Sequence, residues 1–135
     1  LYEPSYFFLP LWNSTLNPVN DNLGIIDWFT ILLGIIGVIS ITIHGANWII
    51  LKTNSSINAK LKKLVFNLSF VLAGLVVISI ITWHLIDPNP MKNYSNYPLL
   101  WIFPMIMFLG LSGLFYTKFF TDDKSGFISS SMFLF

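Results

Sequence analysis

The sequence contains no cysteine. That excludes a disulfide framework, Cys-ligated zinc and iron–sulfur clusters within this stretch of chain, and it is silent about redox compartment. Arginine is missing as well: the seven basic residues are all lysines, set against six acids for a net charge of +1. Charge of either sign is scarce, at 10% of residues, where an average soluble domain carries about 25%. Hydrophobic residues make up 55%, and the mean hydropathy is +0.72. A chain of 135 residues has a large surface to solvate, and one soluble core cannot absorb so much apolar side chain. No basic patch with interleaved aromatics is present, so nucleic-acid binding has no support. Nor is there a nucleophile–base pair, a glycine loop after a strand, or a metal-ligand spacing; Gly34 and Gly37 fall inside an apolar helix and carry no nucleotide reading.

No lysine precedes the first apolar stretch, so a secretory signal peptide is not expected. The sequence opens on Leu1 rather than methionine and closes on the apolar run from Gly126 to Phe135. Both ends read as truncated, and the expectation is a single fragment, residues 1–135, of a longer membrane domain.

What is present is a set of long charge-free runs. None of the residues between Asp27 and Lys52 is charged, and the same holds from Lys63 to Asp87 and from Lys92 to Lys118. About 25 helical residues span roughly 37 Å, enough to cross a hydrocarbon core of about 30 Å with some tilt. A central charge would cost about 2.5–3.5 kcal/mol on insertion, which accounts for its absence. The spacing predicts an all-α membrane protein, a polytopic helical bundle with three complete transmembrane helices plus the start of a fourth. The helices are expected near 25–51, 64–86, 98–120 and 126–135. Residues 1–24, broken by Pro4, Pro10 and Pro18, form an outer loop. Lys52, Lys60, Lys62 and Lys63 crowd one connection, and Lys118 and Lys124 another. The positive-inside rule therefore sets 52–63 and 118–125 in the cytoplasm, with 1–24 and 87–97 outside. Trp28, Trp83, Trp101, Tyr94 and Tyr97 then gather at the outer interface and Trp48 at the inner one.

Polar residues inside the spans are the candidate sites. On the first helix Asp27, Thr30, Gly34, Gly37, His44, Gly45 and Trp48 share an arc of about 100°, which is expected to face protein rather than lipid. Asn67 and Gly74 form a shorter version on the second helix. Pro104, Gly110 and Gly113 mark the third, with a kink expected at the proline. A membrane histidine can hydrogen-bond across helices, relay protons or ligate haem. Structural hydrogen bonding is the favoured reading of His44, with an ion pathway and haem ligation as alternatives. His84 sits at the opposite face of the membrane, so one haem held between the two is not expected. Asp27 reads as a helix N-terminal cap, with an ion-entry role as the alternative. Asn-x-Ser/Thr matches at Asn13, Asn54, Asn67 and Asn93 read as chance in an Asn-rich chain.

Several stretches resemble one known family. Pro10-Leu11-Trp12-Asn13, then Leu23-Gly24-Ile25-Ile26-Asp27-Trp28-Phe29-Thr30-Ile31-Leu32, then His44-Gly45-Ala46-Asn47-Trp48-Ile49-Ile50-Leu51-Lys52-Thr53 look like subunit II of cytochrome bd-type quinol oxidases. The basic segment Lys60 to Lys63, the helix start Leu100-Trp101-Ile102-Phe103-Pro104 and the turn Asp122-Asp123-Lys124 also fit. The resemblance runs over most of the chain but covers roughly a third of a family member, without the family's opening helices. It implies a subunit of a quinol:O2 oxidoreductase in a bacterial or archaeal cytoplasmic membrane, reducing oxygen to water. It further implies haem b and haem d on subunit I, subunit I as partner, quinol as substrate, and a non-catalytic assembly role for this chain. The family accepts Gln at the His of His-Gly-Ala, which speaks against His44 as an obligatory haem ligand. No catalytic and no metal residue is assigned; His44 is the one weak cofactor candidate. The competing reading is a polytopic transporter or ion-pathway protein using the Asp27–His44 face.

Overall fold

The structure, a computed structural model, describes residues 11, 15–19, 25–53, 56–86, 94–116 and 123–134. Four α-helices account for most of them: α1 (Trp28–Lys52), α2 (Ile57–Ile86), α3 (Ile102–Tyr116) and α4 (Asp123–Leu134), with a 3-10 turn over Pro98–Trp101 leading into α3. Three stretches, Trp28–Lys52, Ile57–Ile86 and Pro98–Tyr116, are long and apolar enough to cross a membrane. The fold is all-α and multi-pass, as the charge-free runs predict.

Asp27 sets the start of α1. Its Oδ1 accepts from Thr30 N at 2.8 Å, while Thr30 Oγ1 accepts from Asp27 N at 2.9 Å. This reciprocal box satisfies two backbone donors that the first turn would leave unpaired. The helix therefore begins three residues later than the 25–51 estimate. At the other end Thr53 closes α1, its N–H donating to Ile49 O at 2.9 Å.

The largest difference from the sequence reading is the start of α2, at Ile57 rather than 64. The charge-free run marked where hydrocarbon begins, not where helix begins. Ala59, Lys60, Leu61, Lys62 and Lys63 all favour helix, and Leu61 packs onto the core one turn below Val65. With 30 residues, α2 is about 45 Å long. Its first two turns thus stand in the interface, and the lysines extend from a helix rather than from a loop. The α3 region also departs from expectation. The change from 3-10 to α geometry falls between Trp101 and Ile102. Pro104 lies in the first α-helical turn, where its missing N–H removes little. Residues 117–120 of the predicted helix lie outside the described residues. α4 begins at Asp123, three residues ahead of the estimate, with that carboxylate in its first turn, where the helix dipole favours it.

Packing is antiparallel between sequence neighbours. α1 lies along α2, α4 lies against both α1 and α3, and α2 touches α3. The shared core consists of Ile43, Ala46 and Ile50 from α1, Val65, Leu72 and Val76 from α2, and Leu111 and Leu114 from α3. Outside it, large apolar side chains such as Val38, Ile41, Val77, Phe103 and Leu109 stand exposed. A soluble protein rarely carries patches of that extent; in a bilayer the same surface is solvated by lipid.

The α3–α4 contact depends on two glycines. A Cβ at Gly110 would lie 2.5 Å from Phe133 N and 2.7 Å from Ser129 O, and one at Gly113 would collide with the Ser129 hydroxyl. Small residues here let the two backbones approach, as in other membrane bundles. The face expected on α1 behaves differently. The residues it buries are Ser40, Ile43, Ala46, Asn47 and Ile50, an arc displaced from the predicted stripe toward α2. A Cβ at Gly34, Gly37 or Gly45 would meet nothing within 4 Å among the described residues, and the same is true at Gly74. Among the described residues, the stripe meets another helix at its C-terminal end, through His44 and Trp48.

Candidate functional site

Toward the C-terminal end of α1, polar side chains meet between helices. His44 Nδ1 lies 3.1 Å from Ser130 Oγ, joining α1 to α4. Ser130 is 2% exposed, and its hydroxyl donates to Phe127 O at 2.9 Å. A serine has one hydrogen to give, so toward His44 the oxygen can only accept. With the hydroxyl hydrogen given to Phe127 O, His44 Nδ1 is the donor of this contact. Phe127 holds the ring in place: its centroid is 4.8 Å from that of His44 and 5.2 Å from that of Trp48. Lys52 Nζ lies 4.8 Å from the centroid of Trp48, on the interfacial side, a cation–π contact at the helix end.

One turn beyond His44, Asn47 is 5% exposed and its Nδ2 has no hydrogen-bond partner among the described residues. At the same end of the bundle an ion pair, Lys62 Nζ to Asp123 Oδ1 at 2.6 Å, joins α2 to α4, with side chains 55% and 33% exposed. Asn58, in the first turn of α2, reaches back to the end of α1. Its Nδ2 donates to Ile50 O at 3.3 Å and to Thr53 O, and its Oδ1 lies 3.0 Å from Thr53 Oγ1.

The structure does not bring the other sequence candidates to this site. His84 is exposed in the last turn of α2. The Asn58–Ile50 bond fixes the α1–α2 register, which sets His84 about 30 Å along the axis from His44. Asp27 is engaged in capping at the far end of α1. Asn67 is exposed. Among the described residues no group of three or more His, Asp or Glu could hold a metal ion. One face of the His44 ring is covered by Phe127, and the other histidine is a membrane's thickness away. A shallow cleft between the N-terminal half of α1 and the C-terminal half of α2, lined by Phe29, Leu33, Ser79, Ile80 and Trp83, is open and mostly apolar, with no charged side chain in its lining.

Sequence reasoning named His44 but missed Ser130, Asn47 and Asn58. The run Ser129-Ser130-Ser131 within an apolar stretch is a usable signal, since hydroxyls at membrane depth seek a partner on another helix. Asn47, one turn from His44 on the same helix, is another.

Residues 8–135 match the family model described as cytochrome bd terminal oxidase subunit II. The chain belongs to that family. A curated relative from Haemophilus influenzae, described as a probable cytochrome oxidase subunit 2, is 30% identical over 104 residues. The aligned part takes in 58% of this chain and 27% of the relative, so the chain spans roughly a quarter of that protein's length. No solved structure matches the chain. For this subunit II chain the family match decides between the two readings of the sequence, in favour of the oxidase subunit over the transporter.

Proposed function

We propose that this chain forms a scaffold part of subunit II in a membrane-bound cytochrome bd-type quinol:O2 oxidoreductase, which oxidises quinol and reduces oxygen to water. The observation that carries the reading is the family match across residues 8–135. In this reading subunit I is the partner and bears haem b, haem d and most of the quinol site. The present helices supply packing surface rather than reacting groups. The interior described above supports that division, since His44, Ser130 and Asn58 bond to other groups of this chain. His44 is a positioning residue that ties α1 to α4.

The proposal includes a location and an orientation. The protein sits in a bacterial or archaeal cytoplasmic membrane with segment 52–63 inside and segments 1–24 and 87–97 outside. The clustering of Lys52, Lys60, Lys62, Lys63 and Lys124 at one end of the bundle supports it, as does the Lys62–Asp123 pair that brings α2 and α4 together there.

Co-purification tests the reading. The whole protein, expressed with the product of its neighbouring gene and extracted in mild detergent, should yield a haem-containing complex with quinol oxidase activity. A protein that assembles into no such complex, or moves a solute in liposomes without a redox partner, would overturn it.

A further inference from the structure

We propose that the outward face of α2, at its lysine-rich end, binds an anionic phospholipid. At 100° per residue, Lys60, Lys63 and Asn67 fall within an arc of about 60°, and all three are exposed. The residues that α2 turns to the core, among them Leu61, Val65 and Leu72, lie on the nearly opposite side. Lys62, on the flank toward α4, is paired with Asp123. Lys60 and Lys63 form no ion pair among the described residues. Residues three apart on a helix have Cβ atoms about 5–6 Å from each other, and like charges at that spacing repel. An anion placed between the two ammonium groups removes the repulsion.

Depth selects the kind of anion. Asn67 is one turn past Lys63, inside the charge-free run that ends at Asp87. That sets it about 6 Å below Lys63, a distance comparable to the interfacial layer, which adds roughly 5–7 Å to each side of the hydrocarbon. A lysine can extend its charge back toward water, whereas an asparagine is too short to do so. The Asn67 side chain makes no hydrogen bond among the described residues, so its partner must come to it. A hydrated inorganic phosphate stays above that layer. A phospholipid spans it: the phosphodiester meets Lys60 and Lys63, and an ester carbonyl one level deeper accepts from the Asn67 amide. Its acyl chain then lies along the exposed Val71 and Ile78, over Gly74, where a Cβ would meet nothing within 4 Å. The paired lysines favour a headgroup of net negative charge over a zwitterionic one, by about fivefold for each lysine.

Thermal melting tests the site. The whole protein, in the complex with which it is purified, is stripped of lipid in detergent. It is then titrated with dioctanoyl phosphatidylglycerol, dioctanoyl phosphatidylcholine or inorganic phosphate. Phosphatidylglycerol is expected to raise the melting temperature by several degrees, and the other two are not. Lys60→Gln, Lys63→Gln and Asn67→Leu should each raise the half-saturating concentration about fivefold. Lys52→Gln removes a lysine from the same end of the bundle but from α1, and should leave that concentration unchanged. An equal loss in Lys52→Gln and Lys63→Gln marks diffuse charge and overturns the proposal, as does no loss in any variant. An equal response to inorganic phosphate marks a free-anion site, and an equal response to phosphatidylcholine a lipid surface without charge selection; either overturns it. Should a variant fail to assemble, a high-resolution density map of the wild-type protein decides. A headgroup within reach of Lys60, Lys63 and Asn67 supports the site, and a transmembrane helix packed on that face, or no bound group, overturns it.

Discussion

His44 Nδ1 and Ser130 Oγ, 86 residues apart in sequence, meet at 3.1 Å and tie the first helix to the fourth. The bond crosses between two helices whose remaining contact is mostly apolar, so it fixes their rotation as well as their separation. Its geometry assigns His44 a role as hydrogen-bond donor. A glutamine can donate and accept in the same way, whereas an apolar residue at 130 cannot accept. His44→Gln is therefore expected to retain the haem optical spectrum of the purified complex nearly unchanged. Ser130→Ala leaves the Nδ1–H without its acceptor and should cost about 1–3 kcal/mol, read as a lower melting temperature with the spectrum intact. Loss of one haem signature in His44→Gln with normal assembly would refute the positioning role.

The close approach at Gly110 leads to a second expectation. A methyl group there would sit 2.5 Å from Phe133 N and 2.7 Å from Ser129 O, both of them backbone atoms that cannot rotate away. The helices would have to separate. Gly110→Ala gains about 1 kcal/mol in helix propensity, and overpacking costs about 1–3 kcal/mol, so the net effect is destabilising. Protease resistance of α4 in membranes should fall. An unchanged digestion pattern would show that α3 and α4 are not in contact at this point.

Asn58 provides a test of how α1 is finished. Its amide hydrogens serve two carbonyls, Ile50 O and Thr53 O, at a helix end where carbonyls are short of donors. Asn58→Ala should cost about 1 kcal/mol. Asn58→Asp should cost more, because the substitution removes both donors and turns a carboxylate toward two carbonyl oxygens. That order in thermal melts distinguishes the capping role from simple loss of volume, for which Asp would be the milder change.

Much of this was legible in the sequence, for identifiable reasons. The charge-free runs between Asp27 and Lys52 and between Lys63 and Asp87 announce membrane helices because hydrocarbon tolerates no charge. Asp27 is readable as a cap because its partner Thr30 is three residues away. What was not legible depends on tertiary arrangement. Grouping small and polar residues on one side of α1 picked out the Gly34–Gly37 face, yet α2 lies along Ile43, Ala46 and Ile50 instead. Periodicity says which residues share a face, not which face meets a neighbour. The Ser130 partner of His44 was hidden for the same reason, as three adjacent serines point in three directions and only the packed fold selects one. The start of α2 was misplaced because lysines mark the edge of the hydrocarbon while the backbone continues as helix beyond it.

The lysine distribution leads to a prediction about topology. Lys60 is exposed in the first turns of α2, and Asn96 is exposed before α3, at opposite ends of the bundle. This chain has no cysteine of its own, so single substitutions Lys60→Cys and Asn96→Cys introduce unique thiols here. With segment 52–63 inside, a membrane-impermeant maleimide added to intact cells should label position 96 and leave position 60 unlabelled. Inverted membrane vesicles should reverse the pattern. Position 60 is outside the charge-free runs and position 96 precedes the apolar span that starts at Pro98, so neither change should disturb insertion, which the protein's abundance in the membrane fraction checks independently. Labelling of position 60 in intact cells would invert the whole assignment, placing the Lys62–Asp123 pair and the Asn47–His44 end of the bundle on the outer side.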